Sequence, residues 1–244
     1  MIDYTRAYAA KEVKGFDQGL RSYVLKIYNF MSLGLLLTGV MAYAALNFPP
    51  IMHMMYNIGP NGELMGMSTI GMIASFAPIG IAFYFFMGIG NMSISKAQTL
   101  FWLYAGLMGL SLSYLGLMYT GQSLVRTFFI CSTVFGVMSL YGYATKKDLT
   151  SMGSFLMMGL IGLLTVSVIN IFMQSSAINF ATSLIGIGIF MGLIAWDTQK
   201  LKAMYYAYGG GEMGQKAAIM GAFSLYLDFI NLFLHMLRFF GDRK

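Results

Sequence analysis

Near its C-terminal end the chain reads LYLDFINLFLHMLRFF (225–240), an apolar run that carries Asp228, Asn231, His235 and Arg238. A little earlier, GLIAWDTQKLK sets Asp197 in similar surroundings. Acids in such settings bond a neighbouring helix, pass protons, hold a hard cation or activate water. At 100° per residue, a helix gathers Gly221, Ser224, Asp228, Asn231, His235 and Arg238 into one arc of about 100°. A carboxylate facing lipid at mid-membrane costs at least ~2.5–3.5 kcal/mol, so this arc must face protein or a water-filled cavity.

If the helix bearing Asp197 runs to about Tyr205 and the next begins near Ala217, the two acids lie roughly 12 Å and 17 Å from their common turn. Adjacent antiparallel helices would then bring them together. Two carboxylates in one low-dielectric pocket do not both ionise cheaply, so the pair is expected to share a proton and titrate as a unit. Deprotonated, it offers hard oxygen donors to a cation. Calcium takes six to eight oxygens, which leaves water, carbonyls or amides such as Asn231 and Asn170 to complete the shell. Asp197 and Asp228 are thus the expected metal-contacting and pH-sensing residues, with Asn231, His235 and Asn170 as a supporting polar face. His235 suits either a packing role or a proton relay, and either aspartate alone could simply hydrogen-bond a neighbouring helix. Asn170, Ser167 and Gln174 together also fit interhelical hydrogen bonding. Two acids make a weak, passing site, suited to permeation rather than storage.

The elements that must position these groups follow from composition. Of 244 residues, 58% are hydrophobic and 10% charged, and the mean hydropathy is +0.69, far from the roughly 25% charged content of a soluble domain. Apolar runs near the ~20 residues that span a bilayer occur at about 27–48, 68–90, 98–119, 124–144, 153–174, 181–203 and 217–240. Their continuous apolar character excludes an alternating outer-membrane barrel. An all-α integral membrane protein is expected: a seven-transmembrane-helix bundle (27–240) with an N-terminal segment (1–26) and a short tail (241–244). The 49–67 connection, with Pro49, Pro50 and Pro60, and the glycine-rich AYGGGEMGQK (207–216) are the longer links. Stripes of small residues (Gly71, Ser75, Pro78 and Ala82; Gly106, Gly109, Ser113 and Gly116; Ser132, Gly136 and Ser139) let helix backbones approach closely in lipid, and Pro78 is expected to kink its helix.

Arg6, Lys11, Lys14, Arg21, Lys26, Lys96, Lys146, Lys147, Lys200, Lys202 and Lys216 all fall on the side that holds the N-terminus. The other side holds only Arg126, Arg238, Arg243 and Lys244, so the N-terminus is expected to be cytoplasmic. The basic tail GDRK goes against that bias; a re-entrant final segment would return it to the cytoplasm. Cys131, the only cysteine, excludes a disulfide framework and a thiolate metal site. No cofactor is expected, and the net charge of +6 reflects topology and anionic lipid rather than nucleic-acid binding.

LYLDFINLFLHMLRFFG, WDTQKLK, SLYGYATKKDL (139–149) and the NIF at 170–172 together resemble the Bax inhibitor-1 (transmembrane Bax-inhibitor-motif) family, in its bacterial branch. The resemblance implies a seven-helix bundle with the last helix central, a cytoplasmic N-terminus, the bacterial inner membrane, and a pH-sensitive calcium leak whose paired aspartates correspond to Asp197 and Asp228. Some members place an arginine at the end of the second span against the pair; here that region reads FYFFMGIGNMS. Two other functions compete with a leak channel. Some bacterial relatives modulate a membrane-bound ATP-dependent protease, which implies a regulatory binding role. Paired aspartates on the sixth and seventh spans also describe intramembrane aspartyl proteases, but those resemble one another in GxGD, where this chain has Leu225-Tyr226-Leu227-Asp228.

Overall fold

A computed structural model describes residues 17–244. Most of the N-terminal segment expected at 1–26 lies outside the described residues, and what remains of it is helical from Gln18 onward. The described residues contain seven long apolar helices: α1 (Gln18–Asn47), α2 (Thr69–Gly88), α3 (Ile94–Leu112), α4 (Gly121–Ala144), α5 (Thr150–Met173), α6 (Ser176–Tyr208) and α7 (Glu212–Phe240). Each is long and apolar enough to cross a membrane, and the protein is of the all-α membrane class.

Five of the seven helices start where a side chain supplies an acceptor for their orphan amides. The Asp17 carboxylate accepts from Leu20 N, the Ser68 hydroxyl from Gly71 N, Ser93 from Lys96 N, Thr120 from Ser123 N and Ser175 from Ile178 N. The glycine-rich 207–216 link between the last two spans is helical except at residues 209–211. Its charged residues are good helix formers, and the chain reverses only at residues 209–211, where Gly209 takes φ +60°. At 33 residues, α6 is about 50 Å long, more than the ~30 Å hydrocarbon core needs. α7 is one unbroken helix of 29 residues, which leaves no place for a re-entrant turn.

The chain divides into two compact units, one with described residues 17–26 and 120–243, the other with 27–119 and Lys244. In the latter, the 49–67 connection is ordered: Pro49–Met55 forms a short helix, followed by an antiparallel hairpin of Tyr56–Ile58 (β1) and Leu64–Met67 (β2) that pairs Tyr56 with Met67. Ala45, Met55, Tyr56, Ala74 and Leu110 form its buried core. Tyr56 Oη and Ser113 Oγ share a 2.7 Å hydrogen bond, and Thr38 Oγ1 donates to Ala105 O. Gly109 meets the backbone of Thr38, as its small-residue stripe implies, whereas Gly106 has open space.

In the first unit α7 packs against α6 and α4, and α5 packs against α6. The most apolar window of α7 is 61% buried and that of α5 only 11%, so α7 is the internal helix and α5 presents Phe155, Ile161 and Phe172 outward. Such exposed apolar faces suit lipid rather than water. α4 approaches α6 closely at Gly142, where a side chain would run into the carbonyl of Ala195; Gly136 has open space around it. Cys131 is buried with Sγ 3.8 Å from Phe229 O, and the Phe229 ring sits between Phe128 and Phe135.

These two glycines should behave oppositely. Gly142→Ala forces α4 off α6 and is expected to lower stability by about 1–3 kcal/mol. Gly136→Ala, with room for its methyl group, gains up to about 1 kcal/mol of helix propensity. Thermal unfolding of both variants in nanodiscs checks this, and equal shifts would contradict it.

Candidate functional site

Asp197 and Asp228 project from adjacent antiparallel helices. With the turn at residues 209–211, Asp197 lies about 17 Å from the end of α6 and Asp228 about 24 Å from the start of α7. That offset is larger than the sequence implied. It closes because side chains lean toward a helix's N-terminus: Asp197 leans away from the turn and Asp228 toward it. Their carboxyl groups come within hydrogen-bonding reach of each other. Asp228 is buried, and its Oδ2 receives no hydrogen bond. Asp197 keeps a side-chain exposure of 13%, and Lys200 Nζ lies 4.0 Å from its Oδ1. Lys200 in turn lies over the Trp196 ring, 5.0 Å from its centroid. The arrangement is an acid pair with one unsatisfied oxygen inside and one cation at its rim.

The other expected site residues are placed differently. Asn231 sits one turn beyond Asp228, but its amide donates to Leu227 O at 2.8 Å, within its own helix. His235 is buried, stacked on Phe190 with ring centroids 5.6 Å apart. Its Nδ1 has no hydrogen-bond partner. The ring fits only because residue 186 on α6 is glycine, since a Cβ there would meet the imidazole. His235 lies about 10 Å along α7 from Asp228, so the two share a helix face without contact.

Asn170 does not belong to the pair's surroundings. It organises the α5–α6 turn: its amide donates to Asn179 Oδ1 at 2.8 Å and to Ser175 O, and its Oδ1 accepts from Ser175 N. Asn179 is about 27 Å along α6 from Asp197. A polar residue at the far end of a span cannot complete this site. The polar arc of α7 also differs from a fully enclosed stripe. Arg238 is exposed and Ser224 half-buried, while Phe223, Leu225, Tyr226 and Leu232, outside the arc, are wholly buried.

Gln199 is a residue of this region that the sequence pattern hid. In WDTQKLK it reads as part of a polar helix end, yet it is buried. Its Oε1 accepts from Leu149 N at 2.9 Å and its Nε2 donates to Lys147 O at 2.8 Å. Lys202 Nζ donates to Tyr143 O at 2.8 Å. The α4–α5 connection is therefore tied to α6 within two turns of Asp197. On that connection, Asp148 Oδ1 accepts from Thr150 Oγ1 and Thr150 N, and these bonds, the hydroxyl's foremost, hold its carboxyl below the usual carboxylate range. Among the described residues, no group of three or more His, Cys, Asp and Glu could hold a metal ion, so any cation at the pair would draw most of its ligands from elsewhere.

An all-α protein with seven apolar helices and a two-carboxylate site between the last two is a polytopic membrane protein with an ionisable interior. The chain belongs to the Bax inhibitor-1 family: the family model described as "Inhibitor of apoptosis-promoting Bax1" matches residues 20–244. It is similar to the uncharacterized protein RP147 of Rickettsia prowazekii, 60% identical over 245 residues and the whole of both chains. It is also similar to the inner membrane protein YbhL of Escherichia coli K12, 40% identical over 228 residues, 93% of this chain and 94% of that one.

Two outcomes follow, one for the Gln199 tether and one for Asp148. Gln199→Leu strands one buried donor and one acceptor, and is expected to cost about 2–4 kcal/mol in thermal unfolding; an effect no larger than that of a surface substitution would contradict the tether. For Asp148, whose carboxyl is held low in the folded chain, stabilisation is present above the unfolded value of about 3.9 and is lost as pH falls through the folded value. The gap in melting temperature between the wild type and Asp148→Ala should accordingly shrink from neutral pH to below about pH 4; a constant gap would contradict it.

Proposed function

We propose that this protein is a passive, proton-regulated cation pathway of the bacterial inner membrane, with calcium the preferred ion and Asp197 and Asp228 its ion-contacting and pH-sensing residues. One observation carries the proposal: two acids from adjacent membrane helices lie within hydrogen-bonding reach, and the inner one has an oxygen without a partner. Membrane interiors retain such groups where ions or protons pass, because an unused buried carboxylate is expensive.

With one proton shared, the pair carries a single negative charge, and one oxygen of each acid is occupied with the other, while Asp228 Oδ2 stays open. Loss of that proton leaves two like charges that repel, and a divalent cation relieves the repulsion by bridging them. The pair thus exchanges a proton for a metal ion, and flux rises as pH rises. His235, farther along α7 with Nδ1 free, offers a further polar contact in the same pathway. The bias of Lys and Arg toward one set of connections supports a cytoplasmic N-terminus, which places the α6–α7 turn on the cytoplasmic side. A proteolytic role has less support, since Leu225 and Tyr226 beside Asp228 are wholly buried and leave no room for a substrate backbone.

The test is calcium entry into proteoliposomes loaded with an indicator dye. Wild-type flux should increase from mildly acidic to mildly alkaline buffer. Asp228→Asn and Asp197→Asn should each abolish most of that pH response. Flux and pH response unchanged in both variants would remove the pair from the mechanism.

A further inference from the structure

Among the described residues, the oxygens of Asp197 and Asp228 are opposed by Lys200, which stands one helical turn from Asp197 on the same face of α6. Several observations set it apart from an ordinary surface lysine. Its ammonium lies 4.0 Å from Asp197 Oδ1, beyond a direct hydrogen bond but well within Coulombic reach. Its charge acts on Asp228 as well as on Asp197. The Trp196 ring beneath it supplies a cation–π surface that restrains the flexible stem. At 29% exposure it still touches the outside, at the end of the pair nearer the α6–α7 turn. Two other lysines of these helices are engaged elsewhere: Lys202 turns to Tyr143, and Lys216 pairs with Glu212 at 2.9 Å.

We propose that the Lys200 ammonium is a tethered cation that competes with soluble cations for the Asp197–Asp228 pair. Resting on Trp196, it partly neutralises the pair without entering its inner face, so Asp228 Oδ2 keeps its open valence. An arriving divalent ion must displace the ammonium toward solvent, and the long stem allows that movement without unfolding α6. The strength of this competition sets how readily the pair accepts an ion. Lys200 is a residue that tunes ion occupancy rather than a ligand. The inference rests on the pair being the cation site proposed above.

Purified full-length protein in nanodiscs allows a test by calorimetric titration with calcium. Lys200→Met should tighten calcium binding about fivefold, the range of a partly exposed ion pair. Lys200→Arg should bind like the wild type, and the gain should vanish when Asp197→Asn is added to Lys200→Met. Trp196→Leu, which frees the ammonium from its rest, should shift affinity in the same direction as Lys200→Met, but less. Unchanged affinity in Lys200→Met, or an equal gain with and without Asp197, would overturn the tethered-cation role. Failure of the broader proposal looks different: Asp228→Asn and Asp197→Asn would leave proteoliposome flux unchanged, whatever the titrations report. Absence of calcium binding in both wild type and Lys200→Met would overturn the competition itself.

Discussion

The interaction on which the rest depends is the meeting of two carboxyl groups across the α6–α7 interface, in surroundings that solvate charge poorly. Along the two helices the residues flanking the acids are largely apolar and buried, Ile194, Ala195, Leu201, Leu225, Tyr226 and Phe229 among them. Repulsion between two such charges is several times stronger in a medium of this kind than in water. Something must answer it, whether a proton, a metal ion or the nearby ammonium. Much of the unit's construction serves to keep the two groups in register despite that repulsion. α7 is enclosed, α4 presses on α6 at Gly142, and Gln199 fixes the α4–α5 connection to α6.

The register has a simple geometric origin. Antiparallel helices joined by a tight turn carry side chains that lean in opposite senses, so residues offset by more than a turn can still meet. The short glycine-rich reversal at 209–211 makes that offset definite. A looser link would let the helices slide and separate the acids. The same interface seats His235 against Phe190 in the space left by Gly186, so the polar groups of α7 are held by packing as much as by hydrogen bonds.

The sequence made some of this legible and hid the rest. Seven continuous apolar runs could only be membrane helices, and an aspartate in each of the last two stood out because lipid does not tolerate it. Depth along a helix was harder to read. Asn170 looked available as a ligand, but it lies at the α5–α6 turn and bonds Asn179 and Ser175. The hairpin in 49–67 escaped notice because strands of three and four residues leave almost no alternating pattern. Small-residue stripes marked close approaches at some positions only: Gly109 touches a neighbouring helix while Gly106 and Gly136 do not. Gln199 carried no signal, since a buried amide and a surface one look alike in a single chain.

Infrared difference spectroscopy of the nanodisc-embedded protein tests the central claim most directly, because it observes the carboxyl groups themselves. Addition of calcium at constant pH should remove a protonated-carboxyl band and add a metal-bound carboxylate band, and both changes should be absent in Asp228→Asn. Spectra in which calcium leaves every carboxyl band untouched, or in which the changes persist without Asp228, would contradict the exchange of a proton for a metal ion at this pair.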